Sequence, residues 1–187
     1  MPIPRLRLED SALLVIDVQE RLMPTIVDRD RLTHNCATLL RLAGILGMPY
    51  LVTEQYPKGL GRTVETVAKA MEDPSRRIEK TRFSACIDLV IDQFQAWNRG
   101  SVLVCGIEAH VCVLQSVLDL QESGRQCFVC TDAVSSSQRE QIGPALTRME
   151  RAGAVSTGVM SALYELLIDS SHPAFKACLD LAKAIRA

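Results

Sequence analysis

Cys112 is the residue of this sequence whose setting most favours chemistry. It follows the apolar run Val102 to Cys105 and a glycine at Gly106, and it precedes an amphipathic pattern that stops at Gly124. This order predicts a buried strand, a break, and a helix whose first turn carries Cys112. Free backbone N–H groups and the positive end of the helix dipole favour a thiolate there, which makes Cys112 a candidate nucleophile. The alternative is a small apolar helix residue, because the chain has 7 cysteines.

The other cysteines are weaker candidates for a functional role. Cys127 and Cys130 are spaced as Cys-x-x-Cys, but they fall in an apolar run that predicts a strand. Residues three apart on a strand point to opposite faces, so this pair is not expected to bind one metal ion or to close a disulfide. An odd number of cysteines without an export signal predicts reduced thiols in a cytoplasmic protein.

Two further reactive side chains follow predicted strands. Asp17 comes directly after the apolar run Ala12 to Ile16, and Lys80 comes after the run Arg76 to Glu79. In an open parallel sheet, ligands bind at the carboxyl ends of the strands. An acid at a strand end is often a helix cap, and a single lysine is usually a surface charge. It is the arrival of an acid, a lysine and Cys112 at one edge that indicates a site.

Apolar, β-rich runs alternate with helical patterns along the chain. Strands are predicted at Ala12–Ile16, Tyr50–Thr53, Arg76–Glu79, Val102–Cys105, Cys127–Thr131 and Ala154–Ser156, and helices at Arg31–Leu46, Val64–Met71, Ile87–Trp97, Ala109–Ser123, Ser137–Arg151, Ala162–Leu167 and Pro173–Ile185. The fifth helix begins with a capping-box spacing, Ser137 to Glu140. The alternation predicts an α/β fold, a three-layer α/β/α sandwich with a mainly parallel sheet of about six strands.

Composition limits the possible partners. The chain has 187 residues, 48% hydrophobic and 23% charged, with a formal net charge of -1. These values fit one soluble domain over residues 1–187, without repeats or linkers. A near-neutral chain without a basic run is not expected to bind nucleic acid or an anionic membrane surface. Apolar stretches of transmembrane length are also missing from the sequence.

Three motifs together point to a family. They are Leu-Leu-Val-Ile-Asp-Val-Gln around Asp17, Glu-Lys-Thr-Arg-Phe-Ser around Lys80, and Cys-Gly-Ile-Glu-Ala-His-Val-Cys-Val around Cys112. In their order and setting, the chain resembles the isochorismatase-like cysteine hydrolases over nearly its whole length. The segment Thr53 to Gly61 is most similar to the isochorismatase domain-containing subgroup. This resemblance implies a roughly six-stranded parallel sheet and a Cys-Asp-Lys triad.

The resemblance also implies a role for each residue. Cys112 would be the nucleophile, Asp17 the general base, and Lys80 the cation that lowers the cost of a thiolate. The backbone N–H groups of Glu108 and Cys112 would form the oxyanion hole, and the Ile107–Glu108 peptide would be cis. The implied reaction is hydrolysis of a small amide or related C–N bond through a covalent acyl-enzyme. With the helix start, Lys80 should lower the pKa of Cys112.

The pocket and cofactor predictions rest on the loops. Gln19, Gln55, Tyr56 and Phe83 are expected to line the substrate pocket, although the polar groups could instead satisfy loop backbone. Metal-binding nicotinamidases of this fold carry Asp-x-His-x-x-His after the second strand, where this chain has no histidine. We therefore expect no metal and no cofactor. His110 is expected to serve in packing or at the pocket rim rather than as the base.

Other functions remain open at this stage. A binding or scaffolding protein could keep the same fold and hold a metabolite or a partner without turnover, and a thiol redox role is weaker because Cys112 has no evident resolving cysteine. The resemblance further implies a homo-oligomer, a dimer or a tetramer, with the apolar residues after Ser161 contributing. The substrate is expected to be a small molecule of unspecified identity.

Overall fold

A computed structural model describes residues 3–185, and these form one six-stranded parallel sheet with helices on both faces. The strand order is β3-β2-β1-β4-β5-β6. The strands are β1 Ser11–Ile16, β2 Tyr50–Gln55, β3 Arg77–Lys80, β4 Ser101–Gly106, β5 Gln126–Val134 and β6 Val155–Thr157. Every strand pair in the order is parallel. The predicted α/β sandwich with a parallel sheet is confirmed.

Eight α-helices connect or cover the strands in the described part of the chain. They are α1 Arg29–Leu46, α2 Pro57–Leu60, α3 Glu65–Ala68, α4 Asp88–Ala96, α5 Leu114–Glu122, α6 Arg139–Arg151, α7 Val159–Leu167 and α8 Phe175–Ala184. Short 3-10 turns occupy Met23–Thr25 and Pro74–Arg76, and a π-helical turn, Ala109–Val113, leads into α5. Within residues 3–185, none of the helices has both the length and the apolar character needed to cross a membrane.

The sheet separates two hydrophobic cores. Along β1, Leu13 and Val15 pack into the core shared with α1, α7 and α8, whereas Leu14 and Ile16 face the core shared with α4, α5 and α6. A strand that is buried on both faces needs apolar side chains at every position. This explains why β1 is an uninterrupted apolar run in the sequence rather than an alternating one.

The strand order reverses between β1 and β4, and this reversal places the site. The chain runs outward from β1 to β3 on one side and from β4 to β6 on the other. At such a switch point, the loops after the two central strands separate and leave a crevice at their carboxyl ends. Asp17 directly follows β1, and Cys112 lies in the π-helical turn after β4. The topology therefore brings both residues to the same crevice.

Gly106 ends β4 where the backbone comes very close to β1. Its φ is +125°, and a Cβ atom built on it would lie 2.1 Å from the Ile16 carbonyl oxygen. The next residue donates a backbone hydrogen bond from its N–H to this same oxygen, at 2.9 Å. Because the obstacle is backbone rather than a flexible side chain, only glycine allows the chain to leave β4 towards Cys112.

We expect Gly106→Ala to lower the free energy of unfolding by about 3 kcal/mol or more, because it combines positive-φ strain with a backbone collision. Gly124→Ala is the matched control, since Gly124 also has a positive φ, +82°, but nothing lies within 4 Å of an added Cβ. That variant should lose only about 1–2 kcal/mol. Urea denaturation of both proteins measures the difference, and equal losses would show that the close approach at Gly106 is not tight.

The start of α6 differs from the prediction. Its N-cap is Gln138 rather than Ser137, and no side chain caps it. The N–H of Ser137 instead donates to the Glu108 carboxylate at 2.8 Å. The capping-box prediction was wrong, because a tertiary acceptor took the role that the local motif offered. The helix predicted at Val64–Met71 is shorter than expected, because α3 spans only Glu65–Ala68.

Candidate functional site

Asp17 is held rigidly at the end of β1. It is fully buried, its φ is +55°, and its N–H donates to the Thr53 carbonyl oxygen at 3.1 Å. Its Oδ1 accepts a hydrogen bond from Thr53 Oγ1 at 2.7 Å, and its Oδ2 accepts one from Lys80 Nζ at 2.7 Å. A positive φ is strained for a residue other than glycine and is often found at functional sites. The carboxylate orientation is therefore fixed by its neighbours.

Lys80 is a buried cation with every proton engaged. Its side chain has no exposed surface, and besides Asp17 it donates to Gln55 Oε1 at 2.9 Å and to the Phe83 carbonyl oxygen at 2.9 Å. The Arg82 carbonyl oxygen lies 3.2 Å away. An ammonium has three protons, so little donor capacity remains for a substrate. Lys80 therefore acts on Asp17 and on the loop after β3.

The Cys112 thiol lies close to this ion pair. Cys112 is 6% exposed, and the charges of both Asp17 and Lys80 act on its thiol. Burial and then the negative charge of Asp17 raise the pKa of Cys112 to about 12, and the charge of Lys80 opposes them only in part. The prediction of a lowered pKa was wrong, because burial and the adjacent carboxylate outweigh the lysine.

The raised pKa defines the resting state of the pair. At neutral pH Cys112 is a neutral thiol, not a preformed thiolate. A carboxylate that could accept its proton, Asp17, is nevertheless close enough to act on the thiol. Such an arrangement can form a nucleophile when the proton moves to Asp17 during attack.

The segment between β4 and α5 has unusual backbone geometry. The Ile107–Glu108 peptide is cis. The Glu108 carbonyl oxygen accepts from the N–H groups of Val111 and Val113, each at 3.1 Å, and the intervening Cys112 N–H is not among its donors. Within residues 3–185, no acceptor pairs with the Glu108 N–H. The backbone here therefore leaves the Glu108 N–H without a protein acceptor in the described part of the chain.

A polar cluster behind this segment was missed from the sequence. The Glu108 carboxylate accepts from Ser136 Oγ at 2.5 Å and from the Ser137 N–H at 2.8 Å. Ser136 Oγ also lies 2.5 Å from His110 Nδ1. Three consecutive serines directly after the end of β5 were the available signal, because polar residues at that edge of the sheet face the crevice.

The two glutamines predicted for the substrate pocket have a different role. Gln19 Nε2 donates to the Gln55 and Gly61 carbonyl oxygens at 3.0 and 2.7 Å, and its Oε1 accepts from the Gln55 N–H at 2.7 Å. Gln55 Nε2 donates to the Thr81 carbonyl oxygen at 2.8 Å, while its Oε1 accepts from Lys80. The pocket assignment of Gln19 and Gln55 is corrected: their side chains satisfy loop backbone and hold Lys80.

The two aromatic residues predicted for the pocket are open to solvent. Tyr56 and Phe83 are each 55% exposed. Tyr56 lines a cavity of about 400 Å³ that includes Pro57, Lys58 and Thr81, whereas Phe83 and Cys112 do not line it. The hydrogen bond from Lys80 to the Phe83 carbonyl oxygen fixes the backbone of Phe83, not its ring. Over residues 3–185, no group of three or more His, Cys, Asp or Glu could hold a metal ion.

Comparison with known proteins gives consistent matches. The model of the isochorismatase domain family matches residues 11–160. Isochorismatase domain-containing protein 2A of Mus musculus is 38% identical over 169 residues, which cover 90% of this chain and 80% of that protein. A structure titled MAR1 ribonuclease from Caenorhabditis elegans is 38% identical, with a TM-score of 0.91, over 95% of this chain and 92% of that one.

A more distant structure shares the same fold. It is the YcaC gene product of Escherichia coli, which is described as an octameric hydrolase of unknown specificity. It is 25% identical, with a TM-score of 0.89, and the match covers 98% of this chain and 92% of that one.

Proposed function

The chain belongs to the isochorismatase family, and from this premise we propose that it is a cysteine hydrolase that cleaves a small amide or related C–N bond without a metal. Cys112 is the nucleophile, Asp17 is the general base, and Lys80 holds Asp17 in place. The observation that carries the proposal is a buried thiol beside a buried carboxylate, which itself pairs with a buried lysine at 2.7 Å. If Cys112 were only an apolar residue at a helix start, a buried carboxylate and lysine beside it would not be needed, and ionisable groups in such settings are often found at functional sites.

In the first half of the reaction, the proton of Cys112 moves to Asp17 as the sulfur attacks the carbonyl carbon. The S–C bond forms, and the carbonyl oxygen becomes an oxyanion. The Glu108 N–H, which has no acceptor within residues 3–185, and the Cys112 N–H are the proposed donors to that oxygen. The raised pKa of Cys112 requires this coupling, because free thiolate is scarce at neutral pH.

In the second half, the oxyanion collapses and the C–N bond breaks. Asp17 returns its proton to the leaving nitrogen, which departs as an amine, and the acyl group stays on Cys112 as a thioester. Water then attacks this thioester while Asp17 accepts a proton from the water. The free acid leaves and the thiol is restored, so amide and water have become acid and amine.

The similar Caenorhabditis elegans protein is named a ribonuclease, so RNA cleavage is a second activity to consider. This chain has a formal net charge of -1, and RNA binding depends largely on basic residues that neutralise phosphates. The proposal therefore keeps a small-molecule substrate and excludes nucleic acid and membrane partners. Cleavage of RNA that is lost on Cys112→Ala would argue against this choice.

A homo-oligomer, a dimer or a tetramer, remains part of the proposal, as does a cytoplasmic location. The octameric Escherichia coli relative supports self-association. The apolar residues predicted to contribute include Leu163 and Leu166, but both are buried in the core of this chain. Tyr164 and Ile168, which are 42% and 78% exposed, are better placed to contact another copy.

The test of the proposed function is covalent adduct formation. We expect wild-type protein, incubated with a library of small amides, ureas and imides, to gain the mass of at least one acyl group. Cys112→Ala should lose the adduct and all turnover while retaining the fold. Cys86→Ala is the matched control, because Cys86 is a partly exposed cysteine near the site that has no role in the mechanism. Intact-mass spectrometry with peptide mapping locates the adduct, and a chelator should change nothing.

Two outcomes would contradict the proposal. Turnover that survives Cys112→Ala would remove the nucleophile. Tight binding of library compounds without any adduct or turnover would favour the scaffold alternative, in which the pocket holds a metabolite without chemistry.

A further inference from the structure

The loop after β5 is bonded to the segment that precedes Cys112 at several points. The Ser135 N–H donates to the Gly106 carbonyl oxygen at 3.3 Å, and the Ala109 N–H donates to the Ser135 carbonyl oxygen at 2.9 Å. The Glu108 carboxylate completes the connection through Ser136 Oγ and the Ser137 N–H. The backbone on both sides of the Glu108 N–H is thus held by one loop, residues 135–137, which we call the serine loop.

The serine loop is anchored on its other side as well. Ser135 Oγ donates to the Val27 carbonyl oxygen at 2.6 Å, and the Val27 N–H donates to the Ser136 carbonyl oxygen at 2.9 Å. Ser136 has no exposed surface. A buried hydroxyl with two short contacts costs free energy unless both are satisfied, so its position is strongly specified.

The directions of these hydrogen bonds determine which ring nitrogen of His110 carries a proton. Ser136 Oγ donates its single proton to the Glu108 carboxylate. The contact of 2.5 Å between Ser136 Oγ and His110 Nδ1 then requires a proton on Nδ1. The chain of donors runs from His110 through Ser136 to Glu108, which a neutral ring in the Nε2–H form could not complete.

We propose that His110, Ser136 and Glu108 form a positioning chain that fixes the Glu108 N–H where it binds the oxyanion. This inference rests on the proposed function, because it concerns the oxyanion donor of that reaction. None of the three side chains takes the thiol proton. Their contribution is geometric: an oxyanion donor that is displaced by a fraction of an ångström loses much of its effect on the transition state.

The test uses [1-¹³C]acetaldehyde as a probe, because it is small and needs no knowledge of the natural substrate. The Cys112 sulfur adds to the aldehyde carbon, and the thiol proton passes to the former carbonyl oxygen, which gives a hemithioacetal. This oxygen occupies the oxyanion position, so the stability of the hemithioacetal reports on the N–H groups that donate to it. Iodoacetamide alkylation of Cys112 is the comparison reaction, because it forms no oxyanion.

We expect Ser136→Ala and His110→Ala to weaken aldehyde binding by about tenfold or more, measured by ¹³C NMR, and to change the alkylation rate by less than about twofold. His110→Asn should restore most of the binding, because its amide N–H can donate to Ser136 as Nδ1–H does. Long-range ¹H–¹⁵N spectra should show the Nδ1–H form of His110 in wild type and its loss in Ser136→Ala.

The outcomes separate the two proposals. A wild-type protein that forms no adduct dependent on Cys112 would contradict the proposed function. Normal aldehyde binding by Ser136→Ala, a parallel fall in binding and alkylation, or no rescue by His110→Asn would each overturn the positioning chain while the nucleophile stands. An Nε2–H form of His110 in wild type would overturn it without reference to any adduct.

Discussion

Asp17→Asn is expected to slow acylation of Cys112 by an amide about 10²- to 10⁴-fold, the usual contribution of a general base. The same substitution should make Cys112 more reactive towards iodoacetamide. These opposite changes follow from the two effects of Asp17 on the thiol. In the proposed mechanism the carboxylate accepts the proton during attack, but its negative charge also raises the pKa of Cys112.

The pH dependence of the alkylation rate shows in which direction Asp17 shifts the pKa of Cys112. In wild type the pKa of Cys112 is about 12, so its alkylation rate should rise steadily between pH 7 and 10. Removal of the negative charge leaves the charge of Lys80, which favours the thiolate and outweighs the smaller opposing effect of Glu108. The pKa of Cys112 falls, the curve moves to lower pH, and the rate at pH 7.5 rises about tenfold for each unit of decrease.

Cys86 could also be alkylated, because it is partly exposed and burial raises its pKa only to about 11, below that of Cys112. Both proteins are therefore prepared with Cys86→Ala, and labelling at Cys112 is followed by peptide mapping. If Asp17→Asn slows acylation and alkylation alike, Asp17 keeps the site folded rather than acting as the base. A wild-type alkylation rate that is flat from pH 7 to 9 would contradict the raised pKa.

Features that depend on one segment of the chain could be predicted from the sequence. The apolar run of β1, the glycine at Gly106 and the helical pattern after Cys112 each specify local structure. Parallel strands deliver their carboxyl ends to one edge, so residues that follow predicted strands could be expected to converge, and Asp17, Lys80 and Cys112 do lie close together. The predicted fold therefore agrees with the structure, while the roles of the three residues stay predictions.

Features that depend on how segments meet could not be predicted in this way. Whether Gln19 faces a ligand or a loop carbonyl depends on where Gly61 lies, 42 residues further along the chain. The pKa of Cys112 depends on burial by residues from several elements, and a helix-start argument leaves this contribution out. Ser136 has a role only because the loop after β5 packs against Glu108.

The second large effect is expected from Lys80→Met. The substitution leaves Asp17 buried beside an apolar side chain, with the Thr53 hydroxyl still donating to its carboxylate. Removal of one member of a buried ion pair usually costs about 3–5 kcal/mol of unfolding free energy. Asp17→Asn should cost less, because Lys80 keeps its contacts with Gln55 and two carbonyl oxygens.

The double variant Asp17→Asn/Lys80→Met removes both charges and should be more stable than the sum of the single losses predicts, by about 2 kcal/mol. The exposed pair Lys69–Glu65 is the matched control: its atoms are 2.6 Å apart, close to the 2.7 Å of the buried pair, but its side chains are 72% and 80% exposed. A cycle of Lys69→Met and Glu65→Gln should give a coupling below about 1 kcal/mol. Urea denaturation at pH 7 measures both cycles. Equal coupling energies in the two cycles would mean that water screens the buried pair as it screens the surface pair. If the stability losses of Asp17→Asn and Lys80→Met simply add in the double variant, Lys80 does not hold Asp17 through its charge.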